Sequence, residues 1–188
     1  MKKDIKICTV IGDPPWSGNG AEKKYMTMRL DTIKKMGVPL QKFLADDAHL
    51  WLWVTNHSLL DGLEVMAAWG FQYRSVLTWT KGRMSTGHWL RSTTEHVLFG
   101  TRGTNAPVQF HGQGTWVFAP VQDHSHKPEE FSAIVRRVSP GPYLELFARR
   151  RPPTNDDYFV WGNEIDSDFE LEGFPVPTYS PDARRNSK

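Results

Sequence analysis

The sequence predicts an α/β fold of three layers around a mainly parallel sheet. Apolar runs of strand length alternate along the chain with segments whose apolar residues recur at helical spacing. Such alternation is typical of strands that are connected through helices packed on the two faces of the sheet. At 188 residues, the length favours one domain.

The first part of the chain predicts a strand, a loop and a broken helix. The apolar run Ile5–Ile11 ends before two prolines, which stop a strand. Residues 17–25 are polar and contain two glycines, a composition that favours a loop. Apolar residues then recur at helical spacing in two pieces, Leu30–Met36 and Leu40–Leu44. The segment 37–39 separates them because it contains a glycine and a proline.

The middle of the chain predicts three strands and one helix. Ala48–Val54 is a largely apolar run with two tryptophans, which is typical of a strand buried on both faces. Leu59–Ala67 has helical spacing, and Gly70 stands where a helix C-terminal cap is usual. Phe71–Trp79 and Glu95–Gly100 predict two strands with a glycine-containing loop between them.

The last part predicts three more strands, one helix and a tail. Trp116–Ala119 is a short strand, and Pro128 opens a helix with apolar residues on one face. Tyr143–Ala148 and Tyr158–Trp161 are the last two strands. We therefore expect one domain over residues 1–166 and a C-terminal tail over residues 167–188.

Composition excludes several classes of protein. A net charge of +2 excludes a histone-like polycation, so contact with nucleic acid must come from local basic patches. A single cysteine, Cys8, excludes an intramolecular disulfide and a cysteine-based zinc cluster. His96 and His126 lack a third ligand at suitable spacing, so we expect no metal. No apolar stretch approaches the length of a membrane span, and we expect a cytoplasmic protein without membrane association.

Eight tryptophans predict both a large core and stacking surfaces. We assign to the core the tryptophans on predicted strands and at the end of a helix, which are Trp51, Trp53, Trp69, Trp79 and Trp116. Trp16, Trp89 and Trp161 are assigned to the functional site.

The motif Asp13-Pro14-Pro15-Trp16 directly follows the first predicted strand. Ligands of open α/β sheets bind at the carboxyl ends of strands, so the motif lies where a site is expected. The prolines restrict the backbone, the carboxylate and the carbonyl groups accept hydrogen bonds, and the indole offers a stacking face. This combination suits a planar ring that carries an amino group. The alternative is an ordinary proline-rich turn that begins with an aspartate.

Further motifs follow in order along the chain: Gly12-Asp13-Pro14-Pro15-Trp16, Leu50-Trp51-Leu52-Trp53-Val54-Thr55, Ala68-Trp69-Gly70-Phe71, Thr86-Gly87-His88-Trp89-Leu90-Arg91, Glu95-His96, Ser125-His126-Lys127-Pro128, Glu145-Leu146-Phe147-Ala148-Arg149 and Trp161-Gly162-Asn163-Glu164. With them the chain resembles the N6-adenine methyltransferases related to the eukaryotic messenger-RNA adenosine methyltransferase, a family with bacterial and phage members. The resemblance implies a Rossmann-like methyltransferase fold that uses S-adenosylmethionine. It also implies a permuted order, with the catalytic motif before the cofactor strand.

The resemblance implies roles for individual residues. Asp13 and the carbonyl of Pro14 would hold the target amine, Pro15 would shape the turn, and Trp16 would stack on the base. Contacts with S-adenosylmethionine would come from Asp13, Lys127, Glu145, Arg149, Asn163 and Glu164. The glycine-rich loop of many methyltransferases is absent, and the charged strand end after Phe147 takes its place.

The substrate contacts rest on basic and aromatic residues in two loops. The segment 74–91 contains no acidic residue, and it carries Arg74, Lys81, Arg83, His88, Trp89 and Arg91. Lys23, Lys24 and Tyr25 stand on the first loop, where they could close over a flipped base. The alternative for the segment 74–91 is a solvated or subunit-facing loop.

We expect methyl transfer to N6 of adenine in nucleic acid, with DNA favoured over RNA. The rival from another class is a catalytically silent nucleic-acid-binding subunit, since some relatives act as scaffolds for an active partner. Besides nucleic acid, the expected partners are a second copy of the chain or a related subunit.

Overall fold

The fold was obtained as a computed structural model, which describes residues 5–18, 26–85, 89–122, 126–152 and 157–174. The elements of these residues are β1 (Ile7–Gly12), α1 (Leu30–Lys35), α2 (Gly37–Leu40), β2 (Leu44–Val54), α3 (Leu59–Ala68), β3 (Gln72–Thr80), β4 (Thr94–Arg102), β5 (Trp116–Phe118), α4 (Glu129–Val138), β6 (Tyr143–Leu146) and β7 (Tyr158–Trp161).

The described strands form one sheet of seven, in the order β5-β3-β4-β2-β1-β6-β7. β4 runs antiparallel to its neighbours β2 and β3, and the other neighbouring pairs are parallel. β1 lies between β2 and β6, which are far from each other in the sequence. The first strand of the chain therefore stands beside a late one, as the permuted order predicts.

The side chains of each central strand alternate between two apolar cores. Leu50, Leu52 and Val54 pack with α1, α2 and α3 on one face of the sheet. Trp51 and Trp53 pack with α4 on the other face. The predicted three-layer α/β fold with a mainly parallel sheet is confirmed.

Two details differ from the sequence predictions. The second helical piece is α2, Gly37–Leu40, rather than residues 40–44, and Leu44 already begins β2. Pro39 is tolerated there because the first residues of a helix have no intrahelical partner for their N–H groups. Trp116 was expected in the core but is 66% exposed, because β5 is an edge strand.

Residues 167–174 belong to the predicted tail, yet they pack against the sheet. Leu171 is buried, and Phe169 and Phe174 contact the same core as α1 and α3. The Asp168 carboxylate accepts hydrogen bonds from the Val160 N–H at 2.9 Å and from Arg151 at 2.8 Å. Packed structure thus extends to residue 174, while the domain boundary at 166 stays a prediction.

No helix of the described residues is both long enough and apolar enough to span a bilayer.

Candidate active site

Asp13 follows the central strand β1 at the carboxyl edge of the sheet. The turn after it is held by backbone hydrogen bonds, from the Trp16 N–H to the Pro14 carbonyl and from the Met28 N–H to the Pro15 carbonyl, both at 2.8 Å. A carbonyl oxygen has two lone pairs, so Pro14 keeps one acceptor position beside Asp13. Both acceptors that the sequence predicts for the target amine therefore lie in one fixed turn.

Trp16 has a different environment from the expected one. Its side chain is only 6% exposed, and its indole N–H donates to the Trp53 carbonyl at 2.9 Å. The ring belongs to the core on the α1–α3 face. In this geometry Trp16 anchors the turn and offers little surface to a base, so its predicted stacking role is not supported by the arrangement.

Lys127 links the Asp13 turn to a second carboxylate. Its Nζ lies 3.1 Å from Asp13 Oδ2 and 3.2 Å from Glu95 Oε2, and it stands over the Trp53 ring, 4.8 Å from the centroid. Glu95 also pairs with Lys81, which follows β3. Because β4 is antiparallel, its first residues reach the same edge as the carboxyl ends of the other strands. The result is a chain of alternating charges, Lys81–Glu95–Lys127–Asp13, which we call the ion network.

The ion network favours the charged forms of Lys127 and Glu95. Burial by itself would lower the pKa of Lys127, but Asp13 and Glu95 outweigh it and raise that pKa. Burial would likewise raise the pKa of Glu95, but Lys127 and Lys81 outweigh it and hold that pKa below its usual value. The sequence analysis named Lys81 in the basic segment and Glu95 in a motif, but it predicted neither as a residue of the site. The signal that could have found them is that Glu95 is the one acidic residue between 74 and 122.

Glu145 lies on β6, beside β1. The register pairs Glu145 with Ile11, which stands two residues before Asp13 in the chain. Burial raises the pKa of Glu145, the Tyr158 hydroxyl opposes that rise by donating to Oε2 at 2.6 Å, and the charge of Asp13 adds to it. Tyr158 is a third residue of the site that the sequence analysis did not predict. A buried carboxylate with one hydroxyl donor keeps acceptor positions for hydroxyl or ammonium groups.

The ends of β6 and β7 approach each other closely. Phe147 has a φ of 65°, a left-handed conformation that glycine usually supplies. The Ala148 N–H donates to the Trp161 carbonyl at 3.0 Å. A Cβ on Gly162 would lie 1.9 Å from the Ala148 carbonyl oxygen, so the position requires glycine. The strand end after Phe147 thus makes a tight turn without a glycine-rich loop.

An open cleft of about 510 Å³ follows these strand ends. Its volume is in the range of small-molecule sites. Asn163 and Glu164 line it, together with Arg151, Ile165 and Asp166. Arg149 contacts Glu164 across 3.7 Å, a loose ion pair between two half-exposed side chains. These donors and acceptors fit a cofactor with a carboxylate, an ammonium group and ribose hydroxyls.

The predicted substrate residues are only partly within the described chain. Arg83, Trp89 and Arg91 lie on the β3–β4 connection and are exposed, with Trp89 at 90%. Backbone hydrogen bonds Lys81–Thr93 and Ser85–Ser92 hold the two limbs of this connection together. Lys23, Lys24, Tyr25 and His88 lie outside the described residues.

We searched the described part of the chain for side chains grouped as metal ligands. There, no three histidine, cysteine, aspartate or glutamate side chains converge as a ligand set.

Comparison with known proteins gives a family match and several relatives. The profile of the family described as MT-A70 matches residues 8–164. "N(6)-adenosine-methyltransferase catalytic subunit METTL3" of Homo sapiens is 34% identical over 175 residues, which cover 86% of this chain and 28% of the relative. The METTL3 subunit of Danio rerio is 33% identical over 172 residues, with 86% and 28% covered. "Type II methyltransferase M.MunI" of Mycoplasma sp is 27% identical over 197 residues, with 85% and 78% covered. The chain thus spans less than a third of the METTL3 relatives.

Proposed function

This chain belongs to the MT-A70 family, and we propose that it transfers a methyl group from S-adenosylmethionine to N6 of adenine in nucleic acid. One observation carries the proposal. The Asp13-Pro14 acceptor pair at the end of β1 lies beside the end of β6. The next strand is β7, and the cleft with donors and acceptors suited to the cofactor follows it.

The chemistry of the amine explains the need for two acceptors. The lone pair of the adenine amine is delocalised into the ring, so the planar amine is a poor nucleophile. Asp13 and the Pro14 carbonyl accept hydrogen bonds better as the nitrogen becomes tetrahedral and positive, and they stabilise the transition state more than the ground state. Lys127 holds the Asp13 carboxylate in place at 3.1 Å. S-adenosylmethionine, when bound, supplies the electrophilic methyl group.

The residues at the cleft divide the binding work. Lys127 is engaged by two carboxylates, whereas the Arg149 ion pair with Glu164 is loose, at 3.7 Å. We therefore assign the methionine carboxylate to Arg149 rather than to Lys127. Glu164 and Glu145 would accept the ribose hydroxyls or the ammonium group. Asn163 would contribute its amide at the rim of the cleft.

We favour DNA as the substrate. Among the three relatives above, the chain covers by far the largest share of a type II methyltransferase, M.MunI. The target atom is unreachable inside a duplex, so the base must be flipped out or already single-stranded.

The test is incubation with labelled S-adenosylmethionine and one of three polymers, which are single-stranded DNA, duplex DNA and RNA. N6-methyladenine is then measured by mass spectrometry. We expect product with DNA, and we expect Asp13→Asn to lower turnover by roughly 10²–10³ while cofactor affinity changes less than about tenfold. Asp46→Asn is the matched control, an exposed carboxylate near the start of β2.

Two outcomes would contradict the proposal. Cofactor or polymer binding without transfer to any polymer would indicate the catalytically silent subunit. Full turnover of Asp13→Asn would remove Asp13 from the reaction.

A further inference from the structure

The half of the sheet that contains β3, β4 and β5 has almost no negative charge. Residues 74–122 include one acidic residue, Glu95, and five basic ones, which are Arg74, Lys81, Arg83, Arg91 and Arg102. Glu95 is already paired with Lys81 and Lys127. No uncompensated carboxylate of this segment therefore opposes a polyanion.

Two large aromatic side chains are exposed on the edge strand of this half. Trp116 is 66% exposed and Phe118 is 58% exposed, while Val117 between them packs into the α4-side core. Alternation along the strand places Trp116 and Phe118 on the same face, about 7 Å apart. We call this pair the β5 aromatic pair.

The β5 aromatic pair lies beside the start of the β3–β4 connection. The register pairs Thr80 with Phe118. A Cβ on Gly82 would lie 3.2 Å from the Phe118 ring, so ring and connection are in contact. Arg83 follows Gly82 directly, and Arg91 stands on the other limb, beside the 90% exposed Trp89. Arg83 and Arg91 thus stand on the connection that Phe118 contacts.

This connection also adjoins the candidate active site. Lys81, at the start of the same connection, belongs to the ion network that ends at Asp13. Four strand spacings separate β5 from β1, which is about 19 Å at the usual spacing of strands. Roughly six stacked nucleotides cover that distance at 3.4 Å each.

We propose that the β5 aromatic pair, with Arg83 and Arg91, binds the single-stranded nucleotides that flank the target adenine. Trp116 and Phe118 stack on bases, and the two arginines contact phosphates. The proposal rests on the proposed function and extends its substrate site to the edge of the sheet. A second copy of the chain is a poorer occupant, because a two-fold interface would bring this basic surface against itself.

The experiment compares two lengths of single-stranded oligonucleotide, a 12-mer and a trinucleotide, each with one adenine and each made as DNA and as RNA. Binding is measured by fluorescence anisotropy and turnover by methyl transfer. The variant Trp116→Ser/Phe118→Ser removes the exposed rings. Leu60→Ser is the matched control, an exposed apolar residue on α3.

We expect the double variant to bind the 12-mer about tenfold or more weakly and to raise its KM. Its affinity for the trinucleotide and for the cofactor should stay unchanged, since neither reaches β5. Arg83→Gln and Arg91→Gln should each reduce the slope of log K against log salt by about one. The DNA and RNA arms identify which polymer the surface prefers.

Unchanged 12-mer affinity in the double variant would overturn the proposal. So would a wild-type dimer, seen by sedimentation, that the double variant dissociates, because the surface would then be a protein interface. Failure of methyl transfer to every polymer would refute the proposed function instead. The anisotropy measurement would still decide whether the β5 aromatic pair binds nucleic acid.

Discussion

At the scale of single residues, Lys127 has partners that its sequence motif does not predict. Its motif predicts a cofactor contact, while the structure pairs it with Asp13 and Glu95 and stacks it on Trp53. These partners come from β1, β4 and β2, and no local pattern joins them. Lys127 therefore holds the Asp13 carboxylate in place.

Lys127→Met should lower both stability and turnover. It leaves two carboxylates near each other without their shared cation. We expect the free energy of unfolding to fall by about 1–3 kcal/mol, less than for a fully buried pair because Asp13 is partly exposed. Urea unfolding measures the stability, and methyl transfer measures the turnover.

Lys34→Met is the control for this substitution. Lys34 pairs with Glu64 at 3.0 Å on the surface, where removal should cost no more than about 0.5 kcal/mol. If both variants unfold alike and Lys127→Met retains full turnover, Lys127 is merely a surface charge.

His49 is a buried histidine whose surroundings favour its neutral form. It is buried, its Nδ1 lies 2.8 Å from Ser139 Oγ, and its Nε2 lies 3.0 Å from the Ala106 carbonyl. The Ala106 carbonyl can only accept, so the ring N–H is on Nε2, and Nδ1 accepts from the Ser139 hydroxyl. Trp51 donates to the same Ser139 oxygen at 2.9 Å. The neutral ring is fully satisfied, and burial lowers the pKa of His49.

Stability should therefore fall when the pH drops below about 6.5. There the unfolded chain binds a proton on His49 and the folded chain does not, which costs up to about 1.4 kcal/mol per pH unit. The measurement is urea unfolding between pH 7.5 and 5. His49→Gln should reduce the dependence and leave the part that comes from His96, whose pKa burial also lowers, whereas the exposed His111→Gln should keep it. A wild-type curve that is flat in this range contradicts the argument.

At the scale of elements, the turns after β6 and β7 pack closely against each other. Phe147 adopts the left-handed conformation, and Gly162 passes close to the Ala148 carbonyl. Asn163 and Glu164, which line the cleft, follow Gly162 directly. These two lining residues are thus positioned by a close backbone approach.

Gly162→Ala should disturb this approach. The new methyl group would meet a backbone oxygen at 1.9 Å, so the two strand ends must separate. We expect a loss of about 1–3 kcal/mol in stability and weaker cofactor binding by calorimetry. Gly114→Ala, where no heavy atom lies within 4 Å, is the control and should cost nothing. Equal cofactor affinity in the two variants would show that the approach does not position the cleft.

The elements themselves were largely predictable, and their ends were less so. β7 begins and ends where the sequence predicts, because Tyr158–Trp161 is a short run without competing signals. β2 begins at Leu44, inside a segment that spacing assigns to a helix. Trp116 was misplaced because a strand pattern does not tell an edge strand from a central one.

At the scale of the whole molecule, the packed structure includes residues beyond the predicted domain boundary. Leu171, Phe169 and Phe174 cover the α1–α3 side of the core, and Asp168 links to Val160 and Arg151. Their apolar residues alternate with charged ones, which gave the segment the composition of a surface tail.

A chain that ends after residue 166 should be less stable than one that ends after residue 174. The comparison isolates the contribution of residues 167–174. We expect the two free energies of unfolding, measured in urea, to differ by at least about 3 kcal/mol, because the longer chain keeps the buried side chains and the Asp168 hydrogen bonds. Leu171→Ala in the full chain should lower the free energy of unfolding by about 2–4 kcal/mol. Equal stability of the two truncated chains would place the boundary at 166.

The site was predictable where a motif lies on one strand end and not where it is assembled across strands. Asp13, Arg149, Asn163 and Glu164 stand at strand ends that the sequence identifies. The ion network and the Glu145–Tyr158 contact join residues of different strands, so only the sheet order brings them together.

The central position of β1 has a consequence for the synthesis of the chain. One neighbour, β2, begins at residue 44, but the other, β6, begins at residue 143. On the ribosome, one side of β1 must therefore wait for most of the polypeptide to emerge before it can pair. Contacts between such distant segments form slowly, and until then the unpaired edge is open to association with other chains. This exposure should accordingly end when β6 is added to the sheet.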